Sequence, residues 1–434
     1  MVSRATASYA EVDRDSEDRN SDQKNAGDER PVPSGTELLA LDPIFRERPH
    51  EILDDLRRRE PVHQDRMFDR VVLTRAADVA RVINDRTFSS DPRKSRKGSF
   101  TRKLFGVDAE DYRPTMLHMD DPDHKRLRGL VANAFNQRSI EALRPRVAAV
   151  TASVLKDLPR DRPFDLVALF TRPLPTVVIA EILGVDPARY QDFKAWSEGQ
   201  VLMFNPKRSE EQEQKLEWAV TEMRAFFQGE VERRIQAQEH RDDLLGHLIA
   251  AEQDGEKLTE REMVSMCLLI LAAGNTTTTD LIGNGVHALL NHPEQFDALR
   301  ADPGLYPAAV EEILRYDSSV VQLSRQTTSE REIGGCPVAS GQPLTPILMA
   351  ANHDPELHSD PHVFDIRRMN QRHFSFGGGA HFCLGAPLAR LETQVALSSL
   401  FERFPRLRLM PDILPVRKAS PSLNGFETLW VDPT

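Results

Sequence analysis

One stretch of the chain reads Phe376-Gly377-Gly378-Gly379-Ala380-His381-Phe382-Cys383-Leu384-Gly385. An aromatic residue precedes the cysteine by seven positions, glycines lie between them, and a histidine stands two positions before it. The other two cysteines among the 434 residues, Cys267 and Cys336, have no such neighbours. Glycines allow tight turns and a close approach of the backbone to a ligand. The pattern favours a thiolate held against a large, flat, apolar group, and the alternative is a buried structural cysteine.

Ligation of a haem iron is the chemistry that suits this spacing. A thiolate ligand pushes electron density onto the iron and favours cleavage of the O–O bond. Backbone N–H groups close to the sulfur of Cys383 are expected to hydrogen-bond to it and tune the metal. In such a site Phe376 is placed to stack on the porphyrin, and His381 is placed to reach an anionic propionate.

The overall composition is that of a soluble globular protein, with 28% charged and 40% apolar residues. A net charge of −11 argues against nonspecific binding of nucleic acid. Three scattered cysteines show no paired metal spacing and no disulfide framework. The longest apolar run, residues 263–274, is shorter than the roughly 20 residues that cross a bilayer, and the N-terminus lacks the apolar core of a signal peptide. These features predict a cytoplasmic protein that binds neither nucleic acid nor membrane.

The chain divides into a polar beginning and a long patterned remainder. Residues 1–36 are rich in charged and small polar side chains, so we predict a disordered N-terminal tail. From about 120 to 320 the pattern is mostly helical, and residues 320–350 are irregular and strand-like. No internal repeat or change in composition marks a second globular domain.

A long helix is predicted from Glu260 to Asn291. A capping box formed by Thr259 and Glu262 starts it, and a histidine–proline pair at 292–293 ends it. Its middle reads Ala273-Gly274-Asn275-Thr276-Thr277, and glycine and β-branched threonine form helices poorly. Because local violations of this kind tend to mark function, the segment is a candidate site. The alternative is a place where small residues let two helices pack closely.

The cysteine loop and the following stretch, residues 386–392, resemble the haem-ligand region of the cytochrome P-450 family. The resemblance extends from about residue 40 to the end of the chain. It implies a mainly α fold with a small β region, the haem-thiolate fold, in a single catalytic domain over residues 37–434. It also implies haem b as the cofactor, with Cys383 as the axial ligand of its iron and Phe376, His381 and Gly385 beside it.

The activity that this resemblance implies is a monooxygenase reaction. One atom of dioxygen is inserted into an apolar small-molecule substrate, and the other leaves as water. Electrons are expected from a separate iron–sulfur ferredoxin and its reductase, docking near Lys125, Arg126 and Arg372. Two alternatives remain: a haem-thiolate enzyme of another type, such as a peroxide-driven oxygenase or a nitrogen-oxide reductase, and a non-catalytic haem sensor.

The middle of the long helix resembles the family's A-G-x-acid-T signature. Ala273 and Gly274 are then expected to open a groove for dioxygen, and Thr277 matches the threonine that helps to deliver protons. Thr276 stands where the family has an acid, so the usual proton relay is incomplete. Asn275 and Thr276 are expected to organise water, and Asp280, one turn further along, is an imperfect substitute for the missing acid.

A short helix after residue 120 carries two cations at positions i and i+4, His124 and Arg128, which lie on one face. Asp121 is predicted to cap this helix, with Pro122 at its first position. The segment resembles the D-P-x-H-x-x-x-R helix of bacterial members of the family, so both cations are implied to bind haem propionates, together with Arg325. A solvated basic face is the alternative.

A further acid and arginine, Glu312 and Arg315, are three positions apart on a predicted helix. Such pairs usually lie on the surface and stabilise little. The spacing resembles the family's E-x-x-R helix, however, which implies a buried ion network with an arginine from a later loop. Arg368 fits that position better than its neighbour Arg367. Nearby, His353 stands where the family more often has an arginine.

The sequence says little about the substrate. By resemblance, the cavity is lined by residues after 90, by residues 201–204, by Leu269 and Ala273, and by residues 320–323 and 424–426. Six basic residues lie between positions 93 and 103. They favour either a substrate that bears a carboxylate or, as the simpler interpretation, an exposed basic loop.

Overall fold

The computed structural model describes residues 31–108, 110, 112–200, 202, 208–239, 241–253 and 255–434. The first thirty residues of the tail predicted for 1–36 lie outside the described residues. Within the remainder of that tail a 3₁₀-helix begins, Gly35–Leu38, and its Leu38 is buried in the core.

Sixteen α-helices form most of the part of the chain that the structure describes. They are α1 (Pro43–Glu47), α2 (Pro49–Arg59), α3 (Ala76–Asn84), α4 (Phe100–Leu104), α5 (Asp123–Ala132), α6 (Gln137–Glu141), α7 (Arg144–Lys156), α8 (Pro173–Ile182), α9 (Tyr190–Gln200), α10 (Glu210–Gln236), α11 (Leu244–Ala250), α12 (Glu260–Asn291), α13 (Pro293–Ala301), α14 (Tyr306–Tyr316), α15 (Leu348–Asn352) and α16 (Ala386–Arg403). A π-helical turn, Val167–Thr171, leads into α8.

The strands are short and are distributed along the described part of the chain. They are β1 (Val62–Asp65), β2 (Arg70–Leu73), β3 (Phe88–Ser89), β4 (Phe164–Asp165), β5 (Glu252–Gln253), β6 (Glu256–Lys257), β7 (Arg325–Thr327), β8 (Arg331–Ile333), β9 (Cys336–Val338), β10 (Pro343–Pro346), β11 (Arg408–Leu409), β12 (Val416–Arg417), β13 (Phe426–Thr428) and β14 (Trp430–Asp432). The largest sheet has the order β1-β2-β10-β7-β3, with only β2 and β10 parallel. The predicted fold class, mainly α with a small β region, is confirmed.

The central helix α12 has the predicted bounds. The Thr259 side chain accepts a hydrogen bond from the Glu262 N–H, and the Glu262 carboxylate accepts one from the Thr259 N–H, so the capping box is formed. The helix packs against α8, α10, α14 and α16 and is part of the largest apolar cluster. It is also the one helix among the described residues long and apolar enough to cross a bilayer, but 67% of its most apolar window is buried inside the fold.

Candidate functional site

The loop that carries Cys383 is folded tightly onto the end of α3. The Cys383 N–H donates to the Phe376 carbonyl at 2.9 Å, which closes the loop on itself. Gly379 adopts φ +61°, a conformation that favours glycine. A Cβ atom at Gly379 would also lie 2.6 Å from the Ile83 carbonyl oxygen. The glycines therefore let the loop turn sharply while it touches the backbone of α3.

The sulfur of Cys383 is surrounded by groups that stabilise a negative charge. Burial raises the pKa of the thiol, while the backbone N–H groups of Gly385 and Ala386 and the guanidinium of Arg128 act in the opposite direction. A coordinating metal cation would deprotonate such a thiol outright. A Cβ atom at Gly385, two residues after the cysteine, would meet no protein atom within 4 Å, so the space at that position is open.

Phe376 is held in place by a cation that the sequence analysis did not single out. The guanidinium of Arg390, on α16, lies 4.6 Å from the centre of the Phe376 ring. Arg390 also binds Glu311 through two nitrogens, at 2.6 and 2.8 Å. The clue available in the sequence was its position, two turns into the helix that follows the cysteine.

His124 and Arg128 both reach the cysteine loop from α5. The rings of His124 and His381 stack with centroids 4.0 Å apart, and Arg128 donates to the Phe382 carbonyl at 2.6 Å. The predicted start of this helix was wrong, because α5 begins at Asp123. The carboxylate of Asp121 does not cap it, since it pairs instead with Arg86 at 2.7 Å.

Arg325 joins this cluster from β7. It is buried, and its one hydrogen bond among the described residues goes to the Ser324 carbonyl, at 2.8 Å. Burial lowers its pKa to about 10. Burial and the neighbouring charges of His124, Arg325 and Arg128 lower the pKa of His381 to about 3. Two arginine cations beside two histidines that can donate N–H groups form a donor set that fits an anionic ligand such as a haem propionate. Asp121 is the carboxylate at the edge of this set, 3.6 Å from His124.

The middle of α12 has two faces, one open to space and one packed against the rest of the protein. Ala273 is exposed and Thr277 partly so, and the Thr277 hydroxyl donates to the Ala273 carbonyl at 2.6 Å. A Cβ atom at Gly274 would lie 3.6 Å from Ile179 on α8. Thr276 is buried. Asn275 is also buried, and its side-chain oxygen accepts a hydrogen bond from Thr176 at 3.0 Å, so it does not share the face of Ala273 and Thr277.

Asp280 is not available as a substitute acid. Its carboxylate is buried, and it binds the ammonium of Lys418 at 2.5 Å. The backbone at Gly425 approaches this carboxylate so closely that any side chain there would collide with it. Asp280 therefore faces the C-terminal strands, where it is neutralised by a cation.

Glu312, Arg315 and Arg368 are brought together in the interior. Arg315 binds the Glu312 carboxylate with two nitrogens at 2.8 Å each, and Arg368 reaches the same carboxylate at 3.3 Å. The two arginines also donate to backbone carbonyls of one loop, at Ser359, Asp360, Pro361 and Val363. The network thus fixes the segment that leads from α15 towards the cysteine loop.

Of the predicted cavity-lining residues 201–204, only Leu202 lies within the described part of the chain. A cleft of about 180 Å³ beside α12 is lined mainly by apolar side chains and includes the predicted Leu269. Asn424, by contrast, is predicted to line the cavity, but its side-chain N–H donates to Asp317 at 2.6 Å.

Most of the basic loop is neutralised by ion pairs, which are Arg93–Asp91, Lys94–Asp120, Arg96–Asp69 and Arg102–Asp108.

A partly exposed cysteine with N–H donors to its sulfur, a cluster of arginines and histidines beside its loop and a threonine on an open helix face are typical of the class of haem-thiolate proteins. A family model described as Cytochrome P450 matches residues 29–303 and 304–418. The chain belongs to the cytochrome P450 family. Like its hydroxylase relatives, it is a haem-thiolate monooxygenase.

Individual relatives span nearly the whole chain. Cytochrome P450 107B1 of Saccharopolyspora erythraea is 39% identical over 410 residues, which cover 92% of this chain and 98% of that protein. The 6-deoxyerythronolide B hydroxylase of the same organism is 40% identical over 363 residues, 82% of this chain and 88% of that protein. The solved structure of the Bacillus subtilis 168 bacillaene polyketide synthase cytochrome P450 PksS matches with a TM-score of 0.82 and 31% identity, over 91% of this chain and 99% of that chain.

Replacing Arg368 by glutamine is expected to lower the free energy of unfolding by about 2–3 kcal/mol, because the buried Glu312 loses a charged partner and three carbonyls lose a donor. Arg367→Gln is the matched control: its side chain is exposed, so a change within about 0.5 kcal/mol is expected. Urea titration followed by the haem absorption measures both. Equal midpoints of unfolding for the two variants would contradict the assignment of Arg368, rather than Arg367, to the ion network.

Proposed function

We propose that Cys383 is the axial ligand of the haem iron and that the enzyme hydroxylates an uncharged, mainly apolar small molecule. The observation that carries the proposal is the setting of the Cys383 sulfur, which is partly exposed, receives hydrogen bonds from two backbone N–H groups and lies near the guanidinium of Arg128. A thiolate-ligated haem supplies the reductive activation of dioxygen when it is bound. His124, Arg128, Arg325 and His381 would hold its propionates.

On the cysteine side of the site, the protein stabilises the negative charge on the sulfur of Cys383. Hydrogen bonds from Gly385 and Ala386 withdraw density from the sulfur and so set how strongly it donates. Stacking between Arg390 and Phe376 keeps the aromatic ring over the loop. These contacts come from α16 and the loop itself, so the ligand is positioned by rigid neighbours.

Replacing Cys383 by serine is expected to abolish the thiolate-type absorption spectrum of the carbon monoxide complex of the reduced protein. Cys336→Ser is the matched control, because Cys336 is a free, partly exposed cysteine on β9. It should leave the spectrum unchanged. A Cys383→Ser protein with the wild-type spectrum would overturn the proposal.

On the other side of the site, proton delivery falls to Thr277. Its hydroxyl donates a hydrogen bond to the Ala273 carbonyl, which holds its oxygen at the open face of α12 with a lone pair free to accept a hydrogen bond from water. Thr276 supplies no carboxylate, and Asp280 is bound to Lys418. Ordered water or a hydroxyl of the substrate must therefore complete the path.

Thr277→Ala is expected to lower ferredoxin-supported product formation by about 10²-fold, at the low end of what positioned proton transfer contributes. Peroxide-supported turnover, which needs no proton delivery of this kind, should fall much less. Thr278→Ala is the control, since Thr278 is buried on the packed side of α12. Full wild-type activity on peroxide alone, without ferredoxin and reductase, would instead favour a peroxide-driven oxygenase, the alternative that Thr276 suggests.

The proposed substrate class rests on charge and on the relatives. Four of the six basic side chains between 93 and 103 are neutralised by carboxylates of the protein, so the loop offers little to attract an acidic substrate. One relative is named 6-deoxyerythronolide B hydroxylase, so a related enzyme hydroxylates a small molecule of that name. A ligand screen followed by the shift in haem absorption tests this, and tighter binding of an acid than of its methyl ester would contradict it.

Electrons are proposed to come from an acidic ferredoxin and its reductase in the cytoplasm. Lys125 on α5 and Arg372, ahead of the cysteine loop, are exposed. Lys125 follows His124, whose ring contacts His381 of the cysteine loop. Arg372 lies four residues before Phe376, where that loop begins. Arg126, the third predicted docking residue, is bound to Glu262 on α12 and is left out. Complementary charge of this kind raises association rates and makes them depend on salt.

The double variant Lys125→Glu, Arg372→Glu is expected to slow electron transfer from an acidic ferredoxin several-fold at low salt and to flatten its salt dependence. Lys194→Glu, a charge reversal at an exposed lysine on α9, is the control and should change neither. Stopped-flow reduction measured across a range of ionic strength provides both quantities. Unchanged rates in the double variant would exclude docking at these residues.

A further inference from the structure

Three histidines from distant parts of the sequence meet outside the haem site. His50 lies on α2, His353 follows α15, and His362 lies in the loop bound by Arg315 and Arg368. One ring nitrogen of each lies within 4.8 Å of the others. The monooxygenase activity gives none of them a role, and His353 stands where the family more often has an arginine.

Hydrogen bonds fix where two of the rings carry their protons. His353 Nε2 lies 2.9 Å from the Tyr316 carbonyl, which can only accept, so Nε2 is the protonated nitrogen. His362 Nε2 lies 2.7 Å from the Asp54 carboxylate and is protonated for the same reason. In the neutral rings the two Nδ1 atoms therefore both present lone pairs, and they face each other at 3.3 Å.

Two lone pairs at this distance repel each other unless a cation lies between them. Zinc bound to histidine has Zn–N distances of about 2.0–2.1 Å in tetrahedral geometry, which places two ligand nitrogens about 3.3 Å apart. Histidines that bind a metal almost always donate their other N–H to a carbonyl or a carboxylate. His353 and His362 have one partner of each kind.

The third ring completes the set. His50 lies with its ring centre 3.9 Å from that of His353, and its Nδ1 atom is buried without a hydrogen-bond partner. Burial lowers the pKa of His50 to about 4 and that of His353 well below its ordinary value, so both rings are in the neutral form that binds metals.

We propose that His50, His353 and His362 form a binding site for a divalent transition metal, with zinc as the ion it fits best. Three imidazoles suit zinc, and a water molecule would take the fourth position. The side chain of His362 is 49% exposed, which gives the ion a path from solvent.

A metal at this site would join α2 to the network around Glu312. His353 and His362 directly follow Asn352 and Pro361, whose carbonyls accept hydrogen bonds from Arg315 at 3.2 and 2.8 Å. An ion that binds the folded protein and not the unfolded chain raises stability by mass action. The site therefore acts as a clamp between the N-terminal helix and the loop that precedes the cysteine.

The test is zinc binding by the haem-loaded protein after treatment with a chelator. Isothermal titration with zinc chloride should show one tight site per chain in the wild type, and saturating zinc should raise the melting temperature. His362→Gln should weaken that site at least about tenfold, because even the loss of a supporting partner of a ligand costs 10–100-fold. The half-exposed position of His362 makes this variant compatible with folding, and an unchanged carbon monoxide spectrum would show that the fold is intact.

His247→Gln is the matched control. His247 is 51% exposed and lies 3.1 Å from Asp242, so it resembles His362 in exposure and in its carboxylate partner. This variant should bind zinc like the wild type. Equal zinc affinity in the wild type and His362→Gln, or an equal loss in His247→Gln, would overturn the proposal and leave a histidine pair that shares a proton.

Discussion

Glu312 carries its charge where no water reaches it, and the surrounding structure is organised around that carboxylate. Neutralising it takes Arg315 from the same helix and Arg368 from a loop more than fifty residues later. A buried pair of this kind contributes little net stability over apolar packing, but it is strongly destabilising when one partner is lost. Its effect is therefore to make one arrangement of α14 and that loop far more favourable than any other. Since the same loop runs on to Cys383, the position of this proposed ligand depends on an ion network centred on another helix, α14.

The charged and uncharged side chains of α12 lie on different faces of the helix. One face holds Asp280, bound to Lys418, and Asn275, bound to Thr176, and both are buried. The other face holds Ala273 and Thr277 in open space. Because an α-helix has 3.6 residues per turn, residues that are close in sequence lie on different faces. As a result, the charged group of the helix lies away from the face on which the substrate is proposed to bind.

The parts of the fold that depend on local sequence were predictable. The capping box at Thr259 and the end of α12 involve residues within a few positions of each other, and both were predicted correctly. The start of α5 was not, because Asp121 is drawn away by Arg86. The partners of Asp280 and Arg126, and two of the four carboxylates that neutralise the basic loop, Asp69 and Asp120, are also distant in sequence. A single sequence shows which side chains are charged but not which of them will meet.

The same reasoning explains why the acid missing at Thr276 matters. In an apolar site a carboxylate must be stabilised by a nearby cation or take up a proton. The N–H donors that the structure places beside the cysteine loop, on Arg128, Arg325, His124 and His381, are suited to the propionates, and Lys418 is already bound to Asp280. A carboxylate at position 276 would have to be stabilised without them. With threonine there, the distal side stays uncharged, and protons must pass through neutral hydroxyl groups and water. The identity and placement of the substrate's own polar groups then become part of the proton path.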